Sequence, residues 1–307
     1  MPDPITLSKR AAAFSKGFAS DPLTHWPFPT IARQAYGNLA GFRQNLYGSV
    51  HESYRRLTGR PTTPESLRSE VHEDARKLRR TGTFMARDWV ERDVVDQIER
   101  RILEVLNTDA ILHSDYMSLL EGEKLAQSVP EIFKVFNPKV VALLESYFGG
   151  GFVVNSTTFR LTRHVPDEVR KQGEIYSDHW HNDSIATSGL SLFVLLKDLD
   201  LDGGPTAALD IPSTRAVVRG GYTSRGHDSV ARSGIEANPG KVEMTGPAGT
   251  ILIVNVARCL HRAGIPAPGK EREWLQFRLY PCSGPTDASR LRGTKILKYT
   301  NGIVQDY

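Results

Sequence analysis

Phe152-Val-Val-Asn-Ser-Thr-Thr-Phe-Arg-Leu-Thr-Arg163 is the stretch from which the fold is read. β-Branched and aromatic residues dominate it, and apolar and polar side chains alternate with the two-residue period of a strand. It follows directly on Gly149-Gly150-Gly151, where the pattern of the chain changes. Downstream, Leu190-Ser-Leu-Phe-Val-Leu-Leu196 reads as a buried strand. Ala207 to Ile211, Lys241 to Met244, Thr250 to Val256 and Trp274 to Tyr280 read as further strands, and Asp200-Leu-Asp-Gly-Gly-Pro205 as a turn. Short strands separated by turn residues over about 130 positions predict a jelly roll or sandwich.

The pattern upstream is helical. Apolar positions from Thr30 to Leu57 recur at helical spacing behind an irregular, proline-bearing arm from Met1 to Pro29. Thr63-Pro64-Glu65 is a helix start, with the helix expected to run to Arg80 and stop before Gly82. Its basic cluster Arg76, Lys77, Arg79 and Arg80 suits a solvated last turn. A short strand at Thr83 to Ala86 precedes an amphipathic helix from Asp93 to Leu106, with Val94, Ile98, Ile102 and Val105 on one side. Ile132 to Val135 and Val140 to Phe148 are two more helical pieces, the second started by Asn137-Pro138. The expectation is one α+β domain. Residues 1–150 form a mainly helical region packing on the core, 151–285 a double-stranded β-helix of jelly-roll, cupin-like type, and 286–307 a C-terminal tail. Gly220 to Pro239 is a long insertion of the kind that covers a site.

Bulk properties exclude several classes. The 307 residues are 39% hydrophobic and carry a formal charge of +4, with a pI near 9.0. That charge suits small anionic partners, but it is too scattered for a nucleic-acid surface. Two cysteines, Cys259 and Cys282, make no disulfide framework and point to a reduced, cytoplasmic protein. No leader pattern opens the sequence, and no run of ~20 apolar residues predicts a membrane span. The sequence leaves the oligomeric state open.

The chemistry centres on His179-Trp180-His181-Asn182-Asp183. On a strand, His181 and Asp183 share a face. His261, at the end of the β-rich segment from Gly249, can supply a third ligand. Two imidazoles and a carboxylate on one face of a metal, with the opposite face open, is the arrangement of non-haem Fe(II) oxygenases. Arg272 follows across the Pro266-Ala-Pro-Gly269 reversal, which can set it on the neighbouring antiparallel strand, where its fork can pair with a carboxylate of a co-substrate.

Taken together, Trp180-His181-Asn182-Asp183, Asp202-Gly203-Gly204-Pro205 with Ile211-Pro212-Ser213-Thr214-Arg215, then His261 and Arg272, resemble the phytanoyl-CoA dioxygenase family. The resemblance spans roughly residues 150–285, with a weaker match from Gly82 to Leu106. It implies a double-stranded β-helix using Fe(II), 2-oxoglutarate and O2, with His181, Asp183 and His261 as iron ligands. It also implies Arg272 as the anchor for the distal carboxylate of 2-oxoglutarate. The implied reaction is hydroxylation of an unactivated C–H bond of a small or medium organic substrate, an anionic biosynthetic one included, with release of succinate and CO2. The carboxylate at Asp183 favours hydroxylation or another oxidative outcome over halogenation, because related halogenases carry a small residue there. Where the family often has Pro-Gly-Ser-His, this chain has Pro212-Ser213-Thr214-Arg215.

Other readings compete. His179 shares a face with His181, so a three-histidine site of a cupin-type metal enzyme that does not use 2-oxoglutarate is one alternative; a non-catalytic binding protein on the same fold is another. Arg278 is the second candidate for the anchor. Thr158, Arg160 and Thr162 alternate on one strand face and can reach a co-substrate or an anionic substrate. Arg225, His227 and Arg232 in the insertion can meet an anionic substrate. Cys259 reads as a buried thiol.

Overall fold

The computed structural model describes residues 58–106, 112–171, 173–183, 189–222, 234–292, 297–300 and 303–306. The arm, the helical stretch from Thr30 to Leu57, and Arg225, His227 and Arg232 lie outside the described residues. The strands are β1 (Gly59–Arg60), β2 (Thr83–Ala86), β3 (Leu112–His113), β4 (Met117–Glu121), β5 (Phe152–Arg163), β6 (Leu190–Leu195), β7 (Ala207–Leu209), β8 (Lys241–Glu243), β9 (Ile251–Val254), β10 (His261–Arg262), β11 (Glu271–Pro281), β12 (Gly284–Pro285), β13 (Asp287–Leu291), β14 (Leu297–Thr300) and β15 (Ile303–Asp306). The helices are α1 (Glu65–Glu70), α2 (His72–Thr81), α3 (Arg92–Leu106), α4 (Gly122–Ser128), α5 (Pro138–Phe148), α6 (Asp167–Arg170) and α7 (Ile211–Arg219).

Besides β1-β12 and β14-β15, which make two separate two-stranded sheets, two facing sheets form the body. The large one runs β2-β9-β6-β11-β5-β4-β3, with β13 also on β5; the small one runs β10-β7-β8. Pairing along the main path is antiparallel throughout. Alternation along each strand divides the large sheet's side chains between two cores. Val154, Phe159, Leu161, Leu192, Val194, Ile253, Leu275 and Phe277 point outward into a core shared with α2, α3 and α5. Phe193, Leu195, Leu252, Val254 and Trp274 point inward, against Ala208, Val242 and Met244 of the small-sheet side. This is a jelly-roll sandwich with helices on its outer face.

Sequence rules account for the main helix boundaries. Asn137 caps α5, its Oδ1 accepting from the backbone N–H groups of Lys139 and Val140 at 3.0 Å each, and Gly149 ends the helix at φ 70°. The helix expected from Thr63 to Arg80 is broken at Val71 into α1 and α2. Thr63 does not cap it. Its backbone N–H and its hydroxyl both donate to the buried Glu145 carboxylate on α5 instead. Arg79 was expected in solvent; it donates to the carbonyls of Ser146 and Tyr147 at the C-terminus of α5, where helix carbonyls lack internal partners. Residues Ile211–Arg219, read as strand end and loop, form α7, capped by Asp210 Oδ1 accepting from the Ser213 N–H at 2.7 Å. The C-terminal segment contributes β13, which pairs with β5 at Val153 and Val154, beyond the reach of β4.

Replacing the α5 cap should be felt across the outer core. Asn137→Ala is expected to lower stability by about 1 kcal/mol, seen as a lower urea midpoint at unchanged slope.

Candidate metal centre and co-substrate cradle

The centre is assembled by one backbone bridge. His181 and His261 pair antiparallel, with His181 N–H to His261 O at 3.0 Å and His261 N–H to His181 O at 2.9 Å. Asp183 is held one step on, its N–H donating to Val256 O at 2.9 Å. The same-face placement of His181 and Asp183 therefore comes from this bridge and not from a regular strand. One ligand atom from each of His181, Asp183 and His261 lies within 4.8 Å of the others. Each imidazole Nε2 stands close to Asp183 Oδ1, at 3.5 Å for His181 and 3.7 Å for His261.

Local hydrogen bonds fix which ring nitrogen faces the centre. His181 Nδ1 lies 2.7 Å from His179 O and His261 Nδ1 3.2 Å from Cys259 O. A carbonyl only accepts, so each Nδ1 carries the proton and each Nε2 presents its lone pair inward, the state a metal ligand needs. Burial, reinforced by His181, pulls the His261 imidazole down to about 4, so it is neutral at physiological pH. Burial alone would raise the Asp183 carboxyl. His181, His261 and Arg278 outweigh that and hold it well below the usual carboxylate range. Arg278 Nη2 sits 2.6 Å from Asp183 Oδ2, leaving Oδ1 turned to the two histidines. Two imidazoles presenting Nε2 and an ionised carboxylate on one side of a point are a donor set for a divalent transition metal.

Arg272 lies across the sandwich from where the sequence alone suggested. It was expected on a strand beside His261; β10 instead pairs with β7 in the small sheet, and β11 pairs with β5 and β6 in the large one. The reversal at Pro266 to Gly269 carries the chain between sheets, because Gly204 and Gly264 pack backbone to backbone under it. A Cβ on Gly204, at φ +69°, would stand 2.4 Å from Ile265 C. Arg272 is 1% exposed. Its Nη1 donates to Gly204 O, while Nε and Nη2, the two donors of one edge of the fork, have no partner among the described residues. Burial first, then Arg160 and Arg262, pull its pKa down to about 9. Its flanking acids face elsewhere: Glu271 pairs with Arg163 at 2.9 Å and Glu273 with Lys197 at 2.5 Å. Thr162, opposite Arg272 in the register, also has a buried hydroxyl without a partner. These orphaned donors could hold a carboxylate.

The remaining residues divide clearly. Arg278 lies with Asp183 and not with Arg272. His179 contributes its carbonyl to His181, and its ring, 3.9 Å from Asp178 Oδ1, is outside the three-group cluster. Trp180 is packing: it is buried with Tyr222, Ile235 and Leu260, and its Nε1 donates to Glu236 at 2.9 Å. Cys259 is a buried thiol, pushed up by that burial. Sequence reading missed Glu236, which binds Arg262 through both carboxylate oxygens, and Tyr222, whose hydroxyl donates to Trp180 O at 2.9 Å. It also missed Tyr176, which sits at φ 57° ahead of the centre and donates to Arg163 O at 3.1 Å. No spacing rule marks these three. A separate surface cavity of about 230 Å3 beside Glu145 is lined by none of the centre's residues.

The neutral His261 has a consequence for pH. Below its ordinary value of 6.5 the unfolded chain takes up a proton there that the folded chain refuses until about pH 4. The stability it contributes is present above pH 6.5 and lost as the pH falls through that window, by at most about 3 kcal/mol. Melting of the metal-free protein should show this loss between pH 6.5 and 4, and His261→Gln should flatten it.

No protein-family model matches the chain, and no curated protein matches it in sequence. Solved structures do resemble it. The epimerase SnoN, in complex with Fe3+, alpha ketoglutarate and nogalamycin RO, aligns at TM-score 0.52 and 15% identity over 76% of this chain and 88% of its own. EctD from S. alaskensis, with 2-oxoglutarate and 5-hydroxyectoine, aligns at TM-score 0.50 and 16% identity over 68% of this chain and 75% of its own. The chain shares with these proteins the jelly-roll fold that holds its two histidines and its aspartate together.

Proposed function

We propose that this protein is an Fe(II)- and 2-oxoglutarate-dependent oxygenase that oxidises an unactivated C–H bond of a small or medium organic molecule, with hydroxylation as the outcome. The observation that carries the reading is the pairing of two features on facing sheets. One is the His181, Asp183 and His261 cluster; the other is the buried, unpaired fork of Arg272. A metal centre alone fits a cupin-type enzyme as well. A wholly buried guanidinium edge with nothing to bind favours a carboxylate-bearing co-substrate, because an unpaired buried charge is costly. SnoN and EctD, which share the fold, hold iron or 2-oxoglutarate in their own structures.

In this reading His181 and His261 bind the metal through Nε2, and Asp183 through Oδ1. Arg278 clamps the other carboxylate oxygen and so fixes the carboxylate's orientation. Arg272 takes the distal carboxylate of 2-oxoglutarate in a two-point pairing that lysine could not reproduce. Phe193, Leu195 and Trp274 wall the interior against water. With iron, 2-oxoglutarate and O2 bound, O2 would be the oxidant, one of its atoms ending in succinate as 2-oxoglutarate loses CO2 and the other in the hydroxylated substrate. Asp183 fills the position that a halide would need, which favours oxygen insertion over halogenation. A jelly-roll binding protein without catalysis is the competing reading, and it requires no succinate.

Succinate formation that requires both Fe(II) and 2-oxoglutarate is the direct test; its absence across a broad substrate panel, together with absent uncoupled turnover, overturns the proposal. Asp183→Ala should abolish stoichiometric Fe(II) binding. Arg272→Met should weaken 2-oxoglutarate by about 30-fold or more while metal binding persists. Without co-substrate the same variant should melt at or above the wild-type temperature, since it removes a buried charge with an unpaired edge.

A further inference from the structure

The inner face of the large sheet holds more positive charge than the metal and co-substrate proposed above can use, and the surplus is Arg160. The point rests on that oxygenase reading. Residues 272, 274, 276 and 278 alternate onto the inner face of β11, and Arg160 of β5 stands opposite Trp274 in the register. Three guanidinium groups therefore line one wall. Arg278 pairs its charge with Asp183 through Nη2, although its buried Nη1 has no partner among the described residues. Arg272 has its one free edge for the distal carboxylate. The Arg160 side chain makes no hydrogen bond or ion pair among the described residues, and its Nε is buried without a partner. Its Cζ lies 5.3 Å from the centre of the Trp274 ring, whose own Nε1 is likewise buried and unpartnered. Burial, chiefly, depresses its pKa; Glu121 attracts and Arg278 repels its charge.

The charges can be counted. A divalent metal and doubly ionised 2-oxoglutarate cancel. Arg160, Arg272 and Arg278 then stand against Asp183 and, at the rim, the exposed Glu121 carboxylate. Among the described residues one positive charge is left over even when Glu121 is counted in full. Arginine does not shed its proton at neutral pH, and a bound anion would compensate the remaining charge.

We infer that Arg160 is a substrate-binding residue and that the organic substrate is a monoanion whose carboxylate pairs with it. A carboxylate can pair its two oxygens with one edge of an unpartnered guanidinium. A doubly charged phosphate would overshoot the one spare charge. Trp274 Nε1 and the buried, unpartnered Tyr280 hydroxyl on the same strand are neutral donors available to the rest of the substrate.

The test uses the full chain loaded with Mn(II) and 2-oxoglutarate, without oxygen. It is titrated by calorimetry with acetate, hexanoate, octanoate, benzoate and phenylacetate, each beside its neutral amide. At least one carboxylate should bind ten times or more tighter than its amide. Arg160→Gln should erase that preference and Arg160→Lys should restore part of it, while affinity for 2-oxoglutarate stays within twofold in both. Equal binding of acid and amide, no binding of any carboxylate, or a weakening of 2-oxoglutarate in Arg160→Gln matching the loss of carboxylate would overturn the inference. A protein that binds no 2-oxoglutarate at all fails the oxygenase reading instead, and this is seen before any carboxylate is added.

Discussion

The antiparallel bridge between His181 and His261 is the constraint on which the rest depends. Two backbone hydrogen bonds, each near 3 Å, join segments that are far apart in sequence. They bring both imidazoles onto one side of the small sheet, with ring centres 4.3 Å apart. Closing so long a loop costs conformational entropy, and a single two-bond bridge cannot offset it alone. The compensation comes from apolar packing on both sides. Phe193, Val254, Val256, Cys259 and Trp274 fill the interior of the sandwich, and Trp180, Ala207, Leu209, Tyr222 and Leu260 seal the small sheet's far face. The ligand set is thus held by two cores and not by the ligands' own contacts.

Trp180 shows how that sealing reaches the insertion between α7 and β8. It sits between His179 and His181 in sequence, and its side chain turns away from the centre into the outer cluster with Ile235. Glu236 gathers Trp180 Nε1, Arg262 and Lys241 at one carboxylate pair. Arg262 immediately follows His261, and its guanidinium lies 5.3 Å from the centre of the Trp180 ring. The segment carrying His181 and the segment carrying His261 are therefore tied twice, by backbone on the inner side and by this charged clamp on the outer. The desolvation cost of Glu236 is answered by three donors, which hold its pKa below the usual carboxylate range.

The strand pattern was legible because it is local. The alternation of Phe152–Arg163 predicted β5 to the residue, and Asn137 and Gly149 bracketed α5. The cluster at His181, Asp183 and His261 was readable from residue type and order. What could not be read was which sheet each strand joins. Arg272 was expected beside His261, yet a Pro/Gly reversal looks the same whether it makes a hairpin or crosses a sandwich. The difference lies in Gly204 and Gly264, whose close backbone approach leaves no room for a Cβ and is invisible in one dimension. Helix α7 was missed for a smaller reason: Asp210 is a good cap, but Ile211-Pro212-Ser213-Thr214 also reads as a strand running into a loop. Thr63 misled in the opposite sense, since a buried carboxylate at Glu145 outcompeted the helix end for its donors.

Under the proposed function, the crossing of Arg272 to the opposite sheet suits the size of what it would hold. Were Arg272 paired beside β10, its guanidinium would share a strand ladder with His261, and the two would stand only one cross-strand spacing, ~5 Å, apart. On β11 it faces the histidines across a sandwich whose sheets pack ~10 Å apart. A five-carbon dicarboxylate that touches a metal with one end and a guanidinium with the other needs a gap of that order, with side chains reaching in from both walls. Arg278, six residues further along the same inner face, meets the centre directly through Asp183. The strand therefore presents two arginines at different depths: the near one pairs with Asp183, and the far one has an edge without a partner among the described residues. Their separation along β11 is fixed by the period of the strand, so the cradle's length is written into the backbone and not into any flexible side chain.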